Sequence, residues 1–320
     1  MSGPLIAAVA LVVTLAVTPG MIVVARRTGI VDRPGALKPQ VEPIPYLGGV
    51  AVLAGAAVGV AAGRPSVMVP LVAALGLGVA DDRFDLPASG RLVGQVVVGV
   101  AVVVTCPVHL PAVVAALLIP AVTVLVINGV NLIDGLDMLA AGVAAVAAVG
   151  FAVMLHGSAR QLAIAFGAAL VGFLVFNRPP ARIYLGDGGS YLLGTGLAVL
   201  LAGSWSPGLG VPLGTAALAV VAIPVAEVAF AAIRRWRGHS SVMAGDRGHP
   251  YDRLVDRGWP RPAASLAYIG MEAVLVVAAL IAVHRGSVTA AVAVDAAAAV
   301  VLVASAMATG SLTPDQESRT

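Results

Sequence analysis

The sequence predicts an all-α, polytopic integral membrane protein, and three observations carry that prediction. Of 320 residues, 59% are hydrophobic and only 11% are charged, less than half the ~25% charge of soluble chains. Mean hydropathy is +0.99. The apolar residues also fall into runs, at roughly 4–24, 46–62, 67–80, 92–105, 111–127, 138–155, 161–176, 190–203, 211–232, 264–283 and 288–309. A helix needs about 20 apolar residues to cross a ~30 Å hydrocarbon core, so these are about 10–11 transmembrane helices. A helical bundle is the spanning architecture such runs permit, because backbone polar groups in lipid must be satisfied internally. The same composition excludes a disordered or nucleic-acid-coating chain. The single cysteine, Cys106, excludes an intrachain disulfide or a cysteine-based zinc site.

Each run has local grounds. The first lacks a basic leader and a small-residue cleavage site, so it reads as a retained helix rather than a signal peptide. The shorter runs, such as 67–80, are expected to be half-buried or flanked by re-entrant loops. The helix containing 67–80 should extend through Asp81-Asp82-Arg83-Phe84-Asp85 and stop there, because Pro87 biases Leu86 away from the α region. The run at 111–127 leads directly into an Asn- and Asp-bearing stretch, and that at 190–203 follows a glycine-rich turn. No linker or repeat divides the chain. Residues 1–309 are expected to form one domain and 310–320 a flexible cytoplasmic tail.

With eleven spans, sixteen of nineteen basic residues fall on one side and only Arg64, Arg160 and Arg285 on the other. By the positive-inside rule, the N-terminus faces out and the rich side is cytoplasmic. Eleven of sixteen acids lie in the loops and helix ends of that side, the tail apart. Since Asp and Glu contribute little to orientation, their crowding points to a polar site there. Glu227, Glu272 and Asp295 fall within spans. Intramembrane carboxylates are functional candidates, although for Glu272 and Asp295 helix packing or a place near the interface is the favoured reading.

Four clusters share the cytoplasmic face. Asp81, Asp82 and Asp85 sit at helical i,i+3 and i,i+4 spacing. Carboxylates that close repel unless a cation or proton holds them, so a Mg²⁺-diphosphate site or a general base is sensible, and a solvated helix end with Arg83 and Arg91 is the alternative. Asn128, Asn131, Asp134 and Asp137 recur every third residue. On an unbroken helix Asn128 and Asp137 would point apart, so interruptions at Gly129 and Gly135 are expected to let the groups converge; capping explains one or two of the four. Gly186-Asp187-Gly188-Gly189-Ser190 precedes an apolar helix. Small residues there let backbone amides approach a phosphate and Asp187 could bring a metal, while a turn capped by Ser190 is the plain alternative. Arg247, His249 and Arg253, with Asp246 and Asp252, suit anion or sugar recognition or simply form a polar loop. Lys38, the one lysine, could pair with a phosphate or anchor the chain at the interface.

In this order, the residues resemble the polyprenyl-phosphate N-acetylhexosamine-1-phosphate transferases of glycosyltransferase family 4. The resemblance spans about 30 to 260 and rests on five places: Lys38 with Ile44-Pro45-Tyr46-Leu47-Gly48-Gly49; Asp81-Asp82 with Asp85; Asn131 through Ala140; Tyr184 through Ser190; and the frame of Asp246, Arg247, His249, Arg253 and Leu254. It implies a bacterial plasma-membrane enzyme that transfers a sugar-1-phosphate, typically N-acetylhexosamine-1-phosphate, from a UDP-sugar to undecaprenyl or another polyprenyl phosphate, releasing UMP and starting cell-envelope glycan assembly. It further implies that Asp187 binds Mg²⁺ (or Mn²⁺). Asp81 and Asp82 handle the lipid phosphate, one of them as a general base. Asp134 is catalytic, and Lys38, Asp85, Asn128, Asn131, Asp137, Gly186, Arg247, His249 and Arg253 bind substrate. Homodimers are familiar in the family.

Tyr251 and Asp252 stand where the UDP-GlcNAc branch commonly carries histidines, and Gln40 replaces another. The muramoyl-pentapeptide branch carries a different histidine triplet and is disfavoured; sugar identity is what these departures weaken most. Two rival readings fit the chain less well. An intramembrane prenyltransferase needs a second Asp-rich motif where Gly186-Asp187-Gly188 stands. A secondary transporter needs an internal repeat and midplane polar groups.

Overall fold

The structure is a computed structural model and describes residues 1–33, 42–206, 208–239 and 248–313. Helices α1 (Gly3–Thr28), α2 (Gly48–Ala62), α3 (Met68–Phe84), α4 (Ala88–Thr105), α5 (Ala112–Ile133), α6 (Leu139–Met154), α7 (Gly157–Asn177) and α8 (Gly186–Gly203) come first. A broken segment follows, made of α9 (Val211–Ala216), a 3-10 turn and α10 (Ala222–Arg237), then the short α11 (Pro250–Asp256), α12 (Arg261–Arg285) and α13 (Val288–Thr309). Two two-residue strands, β1 (Val31–Asp32) and β2 (Ile44–Pro45), pair antiparallel with Val31 opposite Pro45. The fold is otherwise helical, as expected.

Each of the eleven apolar runs lies on one of eleven helical segments, counting α9–α10 as one. Seven of these segments are long and apolar enough to cross a membrane individually, and α2 and α6 are shorter apolar helices. Two of the remaining segments are enclosed by the bundle. In α8 every side chain from Gly188 to Gly203 is buried, and α6 buries twelve of its sixteen residues. Helices enclosed by other helices do not meet lipid along their length. The outer helices do: α4 exposes Val93, Val97, Val100 and Val104, and α13 exposes Val300, Val303 and Met307. The chain is a multi-pass membrane protein.

Small residues set the spacing around α8. A Cβ on Gly78 of α3 would overlap the Asp187 backbone, one on Gly49 of α2 would overlap Gly189, and one on Gly194 of α8 would overlap Ile127 of α5. Successive segments alternate in direction, so one end of the bundle collects the ends of α1, α3, α5, α7, α10 and α13 with the starts of α2, α4, α6, α8 and α12. That end holds the predicted clusters. Part of the expected tail belongs to it: Ser311 is buried, and Arg234 Nη1 donates to its carbonyl (2.8 Å). Lys38, Gln40, Asp246 and Arg247 lie outside the described residues.

Because the α3–α8 contact leaves no room for a side chain at position 78, Gly78→Val should force the helices apart. Overpacking costs about 1–3 kcal/mol or more, so a lowered melting temperature in detergent is expected, measured by differential scanning fluorimetry.

Candidate active site

The site is built where α8 begins. Gly186 adopts φ +67°, a left-handed conformation that glycine tolerates without steric cost. A Cβ there would also crowd Asp82 Oδ2 and the Tyr46 carbonyl. The free N–H groups of the first turn attract negative charge. Their partner is internal: the N–H of Asp187 donates to Asp82 Oδ1 (3.0 Å) and that of Gly188 to Asp82 Oδ2 (3.1 Å). The anion expected at this helix start is therefore the Asp82 carboxylate, not a phosphate, and Ser190 is not the cap.

Asp81, one residue earlier, points elsewhere. It accepts from the Tyr191 hydroxyl (2.7 Å) and the Leu86 N–H (3.0 Å) and lies 3.6 Å from Arg91. It braces α3 against α8 and α4 behind the cleft. Asp85 does not join the pair. α3 ends at Phe84, and Asp85 turns left-handed (φ 49°) and is exposed.

The second cluster is sorted by helix geometry. α5 runs unbroken through Gly129 to Ile133, so the expected interruption occurs only at Gly135. Asn128 faces α4, donating to Gln95 Oε1 (2.7 Å), and lies off the cleft. Asn131 faces α8, donating to Asp187 Oδ1 (2.6 Å) and Ser190 Oγ (3.0 Å). The turn after α5 then brings Asp134 and Asp137 inward. Asp137 Oδ2 accepts from the Ala181 N–H (3.0 Å), and Asn177 secures the turn by accepting from the Met138 N–H (3.0 Å). Asp134 accepts no hydrogen bond among the described residues. Burial, and then the negative charges of Asp187, Asp82 and Asp137, push its carboxyl well above the usual range. Burial also raises Asp137, but the Ala181 N–H and Arg261 pull it back.

These groups line a cleft of about 850 Å³ with Asp82, Asn131, Asp134, Asp137, Gly186, Asp187 and His249 in its wall. Arg253 is half-buried outside the lining. Asp32, Tyr46, Tyr184 and Arg261 line it without having been singled out in the sequence. Their signal was faint: Tyr46 and Tyr184 lie inside two of the family-like stretches without a role of their own there, and the β1–β2 pairing brings Asp32 to the Tyr46 hydroxyl, which it binds.

The donors suit a hard cation, since the carboxylates of Asp187, Asp134 and Asp82 line the same cleft. Among the described residues no three His, Cys, Asp or Glu side chains form a ready cage. Mg²⁺ commonly takes one or two carboxylates and completes its shell with water and substrate phosphate, so the residues fit that ion.

The chain is a many-helix membrane protein with an oxygen-lined polar cleft at one end of its bundle, and comparison with known proteins sets its class as a phospho-sugar transferase. The model of the family described as glycosyl transferase family 4 matches residues 65–204, which contain the Asp81, Asn131 and Asp187 clusters. A probable undecaprenyl-phosphate N-acetylglucosaminyl 1-phosphate transferase of Bacillus subtilis is 29% identical over 78% of this chain and 76% of its own length. A decaprenyl-phosphate N-acetylglucosaminephosphotransferase of Mycolicibacterium smegmatis is 29% identical over 83% and 78%. A phospho-N-acetylmuramoyl-pentapeptide-transferase of Desulforudis audaxviator is 36% identical over 60% and 73%. The chain belongs to glycosyl transferase family 4.

The two asparagines should separate on mutation. Asn131→Ala leaves Asp187 unheld at the cleft and is expected to reduce turnover at least about a hundredfold, the scale of losing one oriented polar group. Asn128→Ala should cost about 1–3 kcal/mol of stability from the orphaned Gln95, with turnover near the wild-type value. Parallel activity and thermal-unfolding measurements read the difference.

Proposed function

We propose that the protein transfers a sugar-1-phosphate, in the class of N-acetylhexosamine-1-phosphate, from a UDP-sugar to a polyprenyl phosphate at the cytoplasmic face of a bacterial plasma membrane, releasing UMP. The observation that carries this reading is the convergence of Asp82, Asn131, Asp134 and Asp187 on one cleft in a membrane enzyme whose relatives are named for that chemistry. The rich side of the charge distribution, with sixteen of nineteen basic residues, supports the cytoplasmic placement.

In the reaction, an oxygen of the lipid phosphate forms a new bond to the sugar-bearing phosphorus while that phosphorus loses its bond to UMP. Such transfers depend on positioning and charge neutralisation more than on covalent chemistry. The cleft carries Asp32, Asp82, Asp134, Asp137 and Asp187 against Arg261 and His249. Two anionic substrates would be repelled by so many carboxylates, which is why the reading includes a resident cation. Bound on Asp187 with water, Mg²⁺ (or Mn²⁺) would supply positive charge to the diphosphate. Asp82 and Asn131 hold Asp187 in place, one through its backbone and the other through its carboxylate. Asp134 is the carboxylate suited to take a proton from the lipid phosphate. It accepts no competing hydrogen bond among the described residues, and its surroundings hold its affinity for a proton high. Asp81, secured by Tyr191 and Arg91, supports α3 instead.

Purified protein with Mg²⁺, undecaprenyl phosphate and a panel of UDP-sugars is expected to release UMP with at least one donor; release from none of them sinks the reading. Asp187→Asn should abolish turnover, and near-normal activity would remove the cation assignment.

A further inference from the structure

His249 enters the cleft wall from the last large loop, and a residue inside a hydrophobic helix holds it there. Glu227 of α10 is 2% exposed. Its Oε2 lies 2.9 Å from His249 Nδ1, and its Oε1 accepts from the Tyr268 hydroxyl of α12 (2.6 Å). The helix delivers it by register: Ile223, Pro224, Glu227, Phe230, Ala231 and Arg234 are the buried face of α10. Pro224 presses on α5 at Gly129, where a Cβ would overlap it, and Glu227 follows about one turn nearer the cleft. Two turns beyond Glu227, on the same face, Arg234 Nη1 donates to the carbonyl of Gly248 (2.9 Å), the residue before His249. α10 thus grips the loop at its backbone and at its imidazole.

The other side of the ring is also fixed. His249 stacks on Tyr251 with centroids 5.4 Å apart and planes 4° from parallel. Tyr251 meets Tyr268 edge-on (6.0 Å, 79°). Its hydroxyl donates to the Leu132 carbonyl (2.7 Å), between Asn131 and Ile133. His249, Tyr251 and Leu132 all line the cleft.

A buried acid in a spanning segment is costly unless its oxygens are satisfied. A carboxylate accepting from Tyr268 and from an imidazole N–H is satisfied on both oxygens. We propose that Glu227 is a positioning residue for the donor substrate: by accepting the Nδ1–H of His249, and itself held by Tyr268, it sets the tautomer and ring plane in which the imidazole meets the UDP-sugar. A hydrogen bond to one ring nitrogen decides what the other presents. Tyr251, tied to Leu132, couples this orientation to the turn carrying Asp134 and Asp137. The inference rests on the donor reading above.

The test begins with ¹⁵N-labelled histidine in the wild-type protein, with the His249 signal assigned by its loss in His249→Ala. Nδ1 is expected to carry a proton; an Nε2–H tautomer with bare Nδ1 overturns the proposal, whatever the activity. Glu227→Gln keeps the shape and removes the charge. It should shift the His249 signal and raise KM for the UDP-sugar about tenfold with kcat little changed, the signature of lost uniform binding. Tyr268→Phe, which leaves the carboxylate in place, should move KM the same way by a smaller factor and serves if Glu227→Gln fails to fold. In a His249→Ala background Glu227→Gln should add nothing; fully additive losses indicate a structural role and overturn the proposal. If the wild type turns over no donor, the transfer reading fails while the histidine signal still reports on Glu227.

Discussion

The arrangement of this protein depends on one carboxylate set across the start of one helix. Asp82 accepts from the first amides of α8, and a bond to a charged acceptor contributes about 1.5–3 kcal/mol. The helix end needs the charge, and the charge, half-buried, needs the donors. That mutual requirement pins α3 to α8 and fixes where Asp187 projects. It also dictates the small residues nearby, since Gly186 must bend left-handed and Gly78 must let the helices touch. Asn131 then ties α5 into the same junction.

The junction explains why the acids can crowd. Asp81 is neutralised by Arg91 and bound by Tyr191, Asp82 by amides, and Asp137 by an amide with Arg261 nearby. Asp134 and Asp187 are left to face one another across the cleft with less compensation, and burial makes their repulsion stronger. A site in this condition favours whatever brings positive charge or a proton. Its wall contributes geometry, while the last loop, held by α10, contributes the histidine.

Much of this was legible in the chain. All eleven apolar runs appear as helical segments because exclusion from lipid writes itself directly into composition, and Asp187, Asn131, Asp134 and Asp137 converge as their motifs implied. What was not legible were side-chain directions. Asn128 and Asn131 look equivalent in sequence, yet three residues of helix turn one to Gln95 and the other to Asp187. Asp85 has the spacing to join Asp81, but the helix stops one residue before it. Asp32 reaches the cleft through a strand pair of two residues each, too short to leave a periodic signal. Glu227 stood out as an acid within a span, but its partner lies twenty-two residues away across a loop.

By itself, then, the sequence determined a helical membrane protein with its acids and arginines gathered at one end, because the cost of placing charge in hydrocarbon acts residue by residue and needs no fold to be felt. Only the tertiary structure decided which acid caps a helix, which braces the bundle and which is left to face the cleft. Those roles depend on whether an amide, a hydroxyl or a guanidinium from a distant segment comes within hydrogen-bonding distance, and helix packing alone sets that distance.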